Sequence, residues 1–295
     1  MAVVWGEAVP LVLAFAMAPA AMPGGVIALE LVLACWVAGR QRTMSAPPTV
    51  WLWARTWWVE WALNLVVFAW RQPFAWRRWP DTAKRQGHRA AIVFVHGYLC
   101  NRGFWLPWLK HCRAHGRPYV TVNLEPAFAG IDAYVQAIEF AVRQAEQATG
   151  GPVFLVGHSM GGLAIRAWLA SQTNAGAGRV RGVVTLGAPH AGTWLARWSR
   201  TPNGRQMRCA SEWLAQLCQR ERDCLGDAAY SGFLCWASPT DNVVFPAETA
   251  TLPGADNRWV AAAGHIELAY LPEVMSTSLA WIASAERSPA ARTAS

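Results

Sequence analysis

Between residues 90 and 237 the chain alternates short apolar runs with longer stretches in which apolar positions recur every three or four residues. The runs AAIVFV (90–95), PYVTVN (118–123), PVFLV (152–156), VRGVVTL (180–186) and SGFLCWA (231–237) are rich in Val, Ile and Phe and bounded by Gly, Pro or Asn. Near-continuous apolar runs of this length predict strands buried on both faces. The stretches GIDAYVQAIEFAVRQAEQAT and MGGLAIRAWLASQ carry the helical period instead. Strands alternating with helices predict a mostly parallel sheet with helices on both faces, where ligands bind at the carboxyl ends of the strands.

The first 80 residues follow a different pattern. VVWGEAVPLVLAFAMAPA (3–20) and VIALELVLACWVAG (26–39) are apolar throughout and are separated by AMPGG. The second run is short for a bilayer core. Because no Lys or Arg precedes the first run, the pair reads as a retained membrane hairpin rather than a cleaved signal peptide. Residues 51–80 interleave eight tryptophans with arginines, as expected of a segment lying at a headgroup boundary, or of a helix packed on a domain. The expected division is therefore 1–80 as a membrane-associated region and 81–290 as a catalytic domain.

Composition strengthens that division. Hydrophobic residues make up 54% and charged residues 15% of the chain, an apolar balance that points to lipid contact. The net charge of +8 is concentrated in residues 40–89, where nine bases face Glu60 and Asp81. With no nucleic-acid-binding signature beside it, this block suits anionic lipid headgroups rather than nucleic acid. If the Trp/Arg stretch lies in the interface, the positive-inside rule puts the basic block on the cytoplasmic side. The seven cysteines include no metal-type CxxC pair, and Cys209, Cys218, Cys224 and Cys235 fit disulfides or free thiols equally well.

The chemistry is concentrated at GHSMG (157–161), set between a predicted strand and a predicted helix. Gly-x-Ser-x-Gly in that setting makes a sharp strand-to-helix turn that presents Ser159 at the top of the sheet as a nucleophile. A serine hydroxyl needs a base, and the base needs an orienting group, in the chain order Ser, acid, His. Of the histidines after Ser159, His190 has no strand-end acid before it, which leaves His265 in AAAGHIEL. Asp241 follows the predicted strand at 231–237 and is the expected acid, with Asp256 as the fallback. The oxyanion donors are expected to be the backbone N–H groups of Met160 and Tyr98, with His96 bracing the loop that carries Tyr98.

Taken together, VFVHGYLCN, FLVGHSMGGLAIR, VVTLGAPHAGTWLA, SPTDNVVFP and GHIEL resemble the bacterial lipase and esterase branch of the α/β-hydrolase fold over residues 90–285. The resemblance implies hydrolysis of an apolar acyl-ester substrate through an acyl-serine, with no cofactor or metal. It also implies that the insertion at about 193–230 is placed where many such hydrolases carry a lid, with Trp194, Leu195, Trp198, Trp213, Leu214 and Leu217 lining an acyl pocket or forming the insertion's own core. An acyltransferase or thioesterase would use the same triad, and a non-catalytic membrane scaffold is the reading from another class. No protein partner is evident, and the expected location is the bacterial inner membrane.

Overall fold

The computed structural model describes residues 3–40, 48–82, 89–172, 178–226 and 228–287, with side chains from Ala21 onward. In chain order the elements are helices α1 (Val3–Arg40) and α2 (Val50–Asn64), a π-helical segment (Leu65–Ala75), strand β1 (Ile92–Val95), α3 (Leu106–Ala114), β2 (Tyr119–Val122), α4 (Val135–Thr149), β3 (Val153–His158), α5 (Met160–Leu169), β4 (Val180–Leu186), α6 (Pro202–Gln206), α7 (Glu212–Leu225), β5 (Phe233–Ala237), β6 (Asp256–Trp259), α8 (His265–Tyr270) and α9 (Pro272–Arg287). Six strands form one sheet in the order β2-β1-β3-β4-β5-β6, with every pair parallel.

The alternation along each strand divides the core in two. Val93 and Val95 pack on one face with Leu155, Ile138 of α4 and Leu163 of α5. Ile92 and Phe94 pack on the other face with Val156, Trp108 of α3 and Ile282 of α9. The period of two in a strand sends neighbouring side chains to opposite faces, so a central strand buried on both reads as unbroken apolar sequence. The edge strand β6 is largely exposed and polar, which is why the hydrophobic pattern does not predict it.

The N-terminal region differs from the expected hairpin: α1 is one continuous helix, about 57 Å long at 1.5 Å per residue. Its part from Ala21 to Arg40 is long and apolar enough to cross a membrane, with a mean hydropathy of 1.8. One stripe of it, Ile27, Leu31, Ala34 and Val37, is nevertheless buried against the rest of the protein, while Val26, Leu29, Val32 and Trp36 are exposed. The helix passes through Pro23, Gly24 and Gly25 because tertiary contacts replace what they forfeit locally. Trp57 donates its indole N–H to the Gly24 carbonyl at 2.8 Å, and the Trp61 ring lies against Gly24. The π-helical segment is tied to the loop after β1, where Gln72 Oε1 accepts the Asn101 N–H at 2.6 Å. Arg42, Lys84 and Arg85 of the basic block lie outside the described residues.

In the insertion, α7 packs on α5 and sends Leu214 and Leu217 into the main core. Trp194 packs edge-on against Trp36 of α1, and Trp198 edge-on against Trp194. Trp213 donates to Asp132. Of the six side chains expected to line a pocket or form the insertion's own core, only Leu195 reaches the cavity described below. All seven cysteines are free thiols.

Candidate active site

Ser159 sits between β3 and α5 with φ 54° and ψ −129°, a backbone conformation that strains any residue with a Cβ. Close packing holds it there. A Cβ on Gly161 would collide with the Val95 carbonyl, and one on Gly97 would fall 2.8 Å from the Ser159 Cβ, so β1, the loop after it and the start of α5 meet at van der Waals limits. Leu99, in the same loop, is also left-handed at φ 57°. Two strained non-glycine residues thus face one cavity.

Asp241 and His265 approach this corner from the other side of the sheet centre. Asp241 follows β5, and its Oδ1 accepts the N–H groups of Val243 and Val244, both at 2.8 Å. These two amides fix the carboxylate. His265 is the first residue of α8, just after β6, and its Nδ1 lies 3.0 and 3.1 Å from the two Asp241 oxygens. Burial alone would lower the His265 pKa, but the charge and hydrogen bond of Asp241, with Glu60 beyond it, outweigh burial and raise it above the ordinary histidine value. Facing a carboxylate, Nδ1 is the nitrogen that carries the proton of the neutral ring, which leaves Nε2 as its acceptor. Asp256, the fallback acid, lies on β6 and pairs instead with Arg258 at 2.8 Å.

Ser159 and His265 line the same cavity, of about 470 Å³. Its wall includes Tyr98 of the β1 loop, and Met160 is the first residue of α5, so the two expected oxyanion donors flank the serine corner. His96 braces the loop as expected: it is buried, its Nδ1–H donates to the Gly97 carbonyl at 2.9 Å, and its Nε2 accepts the Leu124 N–H at 3.1 Å. Burial pushes its pKa down to about 4, so it stays neutral. His190 is buried elsewhere, 3.0 Å from Thr185 Oγ1. Cys100 is also on the cavity wall, and burial pushes its thiol up to about 12.

Four further polar residues, none of them given a role from the sequence, join the site. His158 donates Nε2–H to the His265 carbonyl at 3.0 Å and lays its ring 4.6 Å from the His265 ring. Asn242 accepts the His265 N–H at 3.0 Å and donates to Glu30 of α1 at 2.7 Å. Glu60 of α2, fully buried, accepts the N–H groups of Ile266 and Glu267. The signal for the two glutamates was present: each is a lone carboxylate in an apolar or Trp-rich stretch, a placement that needs a buried partner. Among the described residues no group of three or more His, Cys, Asp or Glu is placed to hold a metal ion.

Comparison with known proteins agrees with this architecture. The structure is similar to the mature form of the Bacillus licheniformis lipase BlEst2, with 17% identity, a TM-score of 0.58, and coverage of 67% of this chain and 94% of that one. It is similar also to Aspergillus fumigatus lipase B, with 16% identity, a TM-score of 0.60, and coverage of 72% of this chain and 57% of that one. At such identities the likeness is one of fold. No curated relative matches the chain. The family model described as the alpha/beta hydrolase family matches residues 92–290, two thirds of the sequence, and the chain belongs to that family.

Proposed function

We propose that this hydrolase is a membrane-associated serine ester hydrolase that cleaves acyl esters of lipids or similar apolar substrates. One observation carries the reading: a serine in a strained strand-to-helix turn shares a cavity with a histidine paired to a buried aspartate. In the proposed reaction Ser159 Oγ attacks the acyl carbonyl while His265 Nε2 takes its proton, and Asp241 holds the imidazolium that forms. The backbone N–H groups of Met160 and Tyr98 receive the oxyanion. The alcohol leaves with the proton from His265, and water then releases the acid from the acyl-serine by the same sequence.

The cavity favours an apolar substrate. Its rim carries Met22, Val26, Phe68 and Leu99, all of them exposed, and the N-terminal helical segments also expose Trp51, Trp58 and Trp70. Arg40, Arg77 and Arg78 lie over the rings of Trp36, Trp76 and Trp79, a pairing that suits a headgroup boundary, so residues 1–80 are read as the part that meets lipid. On this reading the cavity opens toward the membrane, in a bacterium the inner one. The test is Ser159→Ala in the purified protein. It is expected to lower hydrolysis of p-nitrophenyl esters by at least about 1,000-fold and to abolish labelling by a fluorophosphonate probe, with an unchanged circular dichroism spectrum. Retained turnover removes the serine mechanism.

A further inference from the structure

His265 opens α8 at a helix start where Glu267 Oε2 accepts the Gly264 N–H at 3.2 Å but the N-cap residue offers nothing to the first-turn N–H groups. The residue before it, Gly264, has the extended conformation of an N-cap, φ −71° and ψ 173°, but no side chain to accept a first-turn N–H. The three first-turn donors are satisfied from elsewhere. The His265 N–H goes to Asn242 Oδ1, the Ile266 N–H to Glu60 Oε1 at 2.7 Å, and the Glu267 N–H to Glu60 Oε2 at 3.1 Å. A Cβ at Gly264 would collide with the Glu60 carboxylate, so the glycine leaves the space that Glu60 occupies.

Two neighbours of Glu60 on α2 secure the same region. Arg55 makes a two-pronged ion pair with Glu267, at 2.7 and 3.2 Å. Thr56 donates to Thr240 Oγ1 at 3.2 Å, one residue before Asp241. A segment that lies outside the matched hydrolase region therefore grips both the loop of the acid and the helix of the base.

We infer that Glu60 is a positioning residue for catalysis, capping α8 from α2 so that His265 is held in register with Asp241 and Ser159. The inference rests on His265 being the base. It makes residues 50–64 a working part of the active site as well as a lipid-facing surface. The charged and titratable groups that face His265 are Asp241 from the loop after β5, Glu60 from α2, Glu30 from α1 and His158 from the end of β3. Glu60 thus has two separable effects on His265: it orients the start of α8, and its negative charge favours the protonated ring.

The experiment compares steady-state ester hydrolysis against pH for the wild type, Glu60→Ala, Glu60→Gln and Glu60→Ala/Gly264→Ser, with thermal midpoints for each. Glu60→Ala is expected to lower kcat by about 10- to 100-fold with a smaller change in KM. Glu60→Gln, which preserves the shape of the buried side chain and so protects folding, is expected to lose less kcat. In both variants the acidic limb of kcat/KM moves to lower pH, by less than loss of a fully ionised neighbour would give, because burial raises the Glu60 pKa to about 7 and its charge is present only in the upper part of that limb. Gly264→Ser places a hydroxyl at the N-cap and is expected to recover part of the kcat lost in Glu60→Ala without restoring the acidic limb. A merely structural role would move the thermal midpoint alone. If Glu60→Gln folds and matches the wild type in kcat and acidic limb, or if the serine cap restores no activity to Glu60→Ala, the inference falls. Ser159→Ala separates the two ideas: an active Ser159→Ala overturns the proposed function, whereas an inactive one beside wild-type-like Glu60 variants overturns only the role of Glu60.

Discussion

Glu221 on α7 and Glu60 on α2 are both buried carboxylates, and their partners differ in kind. Glu221 meets Arg166 of α5 in a two-pronged pair at 2.6 and 2.8 Å, both side chains being almost wholly buried, with Tyr230 donating to it as well. Here charge answers charge, and two helices of the hydrolase region are joined. Among the described residues Glu60 forms no ion pair with a lysine or arginine. It is held by two backbone N–H groups at a helix start, 206 and 207 residues away in sequence, and burial raises its pKa to about 7 in spite of them. A neutralised pair can serve stability alone, whereas a carboxylate left half-compensated beside His265 bears on the chemistry of that ring. The comparison separates a region that builds the fold from one that adjusts the site.

The largest effect expected lies between these two acids, at Asp241. Asp241→Asn would leave the shape of the site but present an amide to His265 Nδ1, favouring the wrong tautomer, and kcat is expected to fall by about 10,000-fold. The sign of the wild-type pH dependence follows from the raised pKa of His265. Below that pKa the ring is protonated and cannot accept the serine proton, so activity is lost as pH falls through it. The midpoint of the acidic limb of kcat/KM is therefore expected above about 6.5, the unperturbed histidine value. A midpoint at or below 6.5 would show that burial, not Asp241 and Glu60, dominates the ring.

Within the hydrolase region most of this was legible in the sequence, because the relevant signals are local. Strands β1 to β5 follow from apolar runs, and the turn at Ser159 follows from glycines two residues to either side of it. The edge strand β6 escaped because Asp256, Asn257 and Arg258 give it no apolar face to read. In the N-terminal region local signals misled. Pro23, Gly24 and Gly25 read as a break between two helices, yet contacts from Trp57 and Trp61, more than thirty residues on, carry α1 through. Glu30 and Glu60 were not recognised from the sequence as neighbours of the site, since their partners Asn242, Ile266 and Glu267 are more than 200 residues away.

The next effect in size tests the other side of the comparison. Glu221→Ala leaves the Arg166 guanidinium buried without its counter-charge, which is expected to cost about 3–5 kcal/mol of unfolding free energy, measured by urea titration. Turnover per folded molecule is expected to stay within about threefold of the wild type, because neither Arg166 nor Glu221 lines the cavity that holds Ser159 and His265. A collapse of kcat in folded Glu221→Ala would mean that the two buried acids act alike and that the division between fold and site is false.

The smallest effect on chemistry is expected at the outer surface of the N-terminal helices, and its smallness is informative. Trp51 and Trp70 are 75% and 63% exposed, and neither lines the cavity. Replacing either with alanine removes apolar area that would enter a headgroup layer, at a cost of roughly 1 kcal/mol, or about fivefold in affinity for anionic vesicles measured by co-flotation. Hydrolysis of a soluble short-chain ester is expected to stay within about twofold. Glu60→Gln should show the reverse, with unchanged vesicle binding and reduced turnover, because its side chain faces α8 rather than lipid. Helix α2 would then divide by face, its exposed Trp51 governing where the enzyme sits and its buried Glu60 how well His265 works. If Trp51→Ala instead lowered soluble turnover as much as Glu60→Gln does, the outer and inner faces of α2 could not be treated as separate parts.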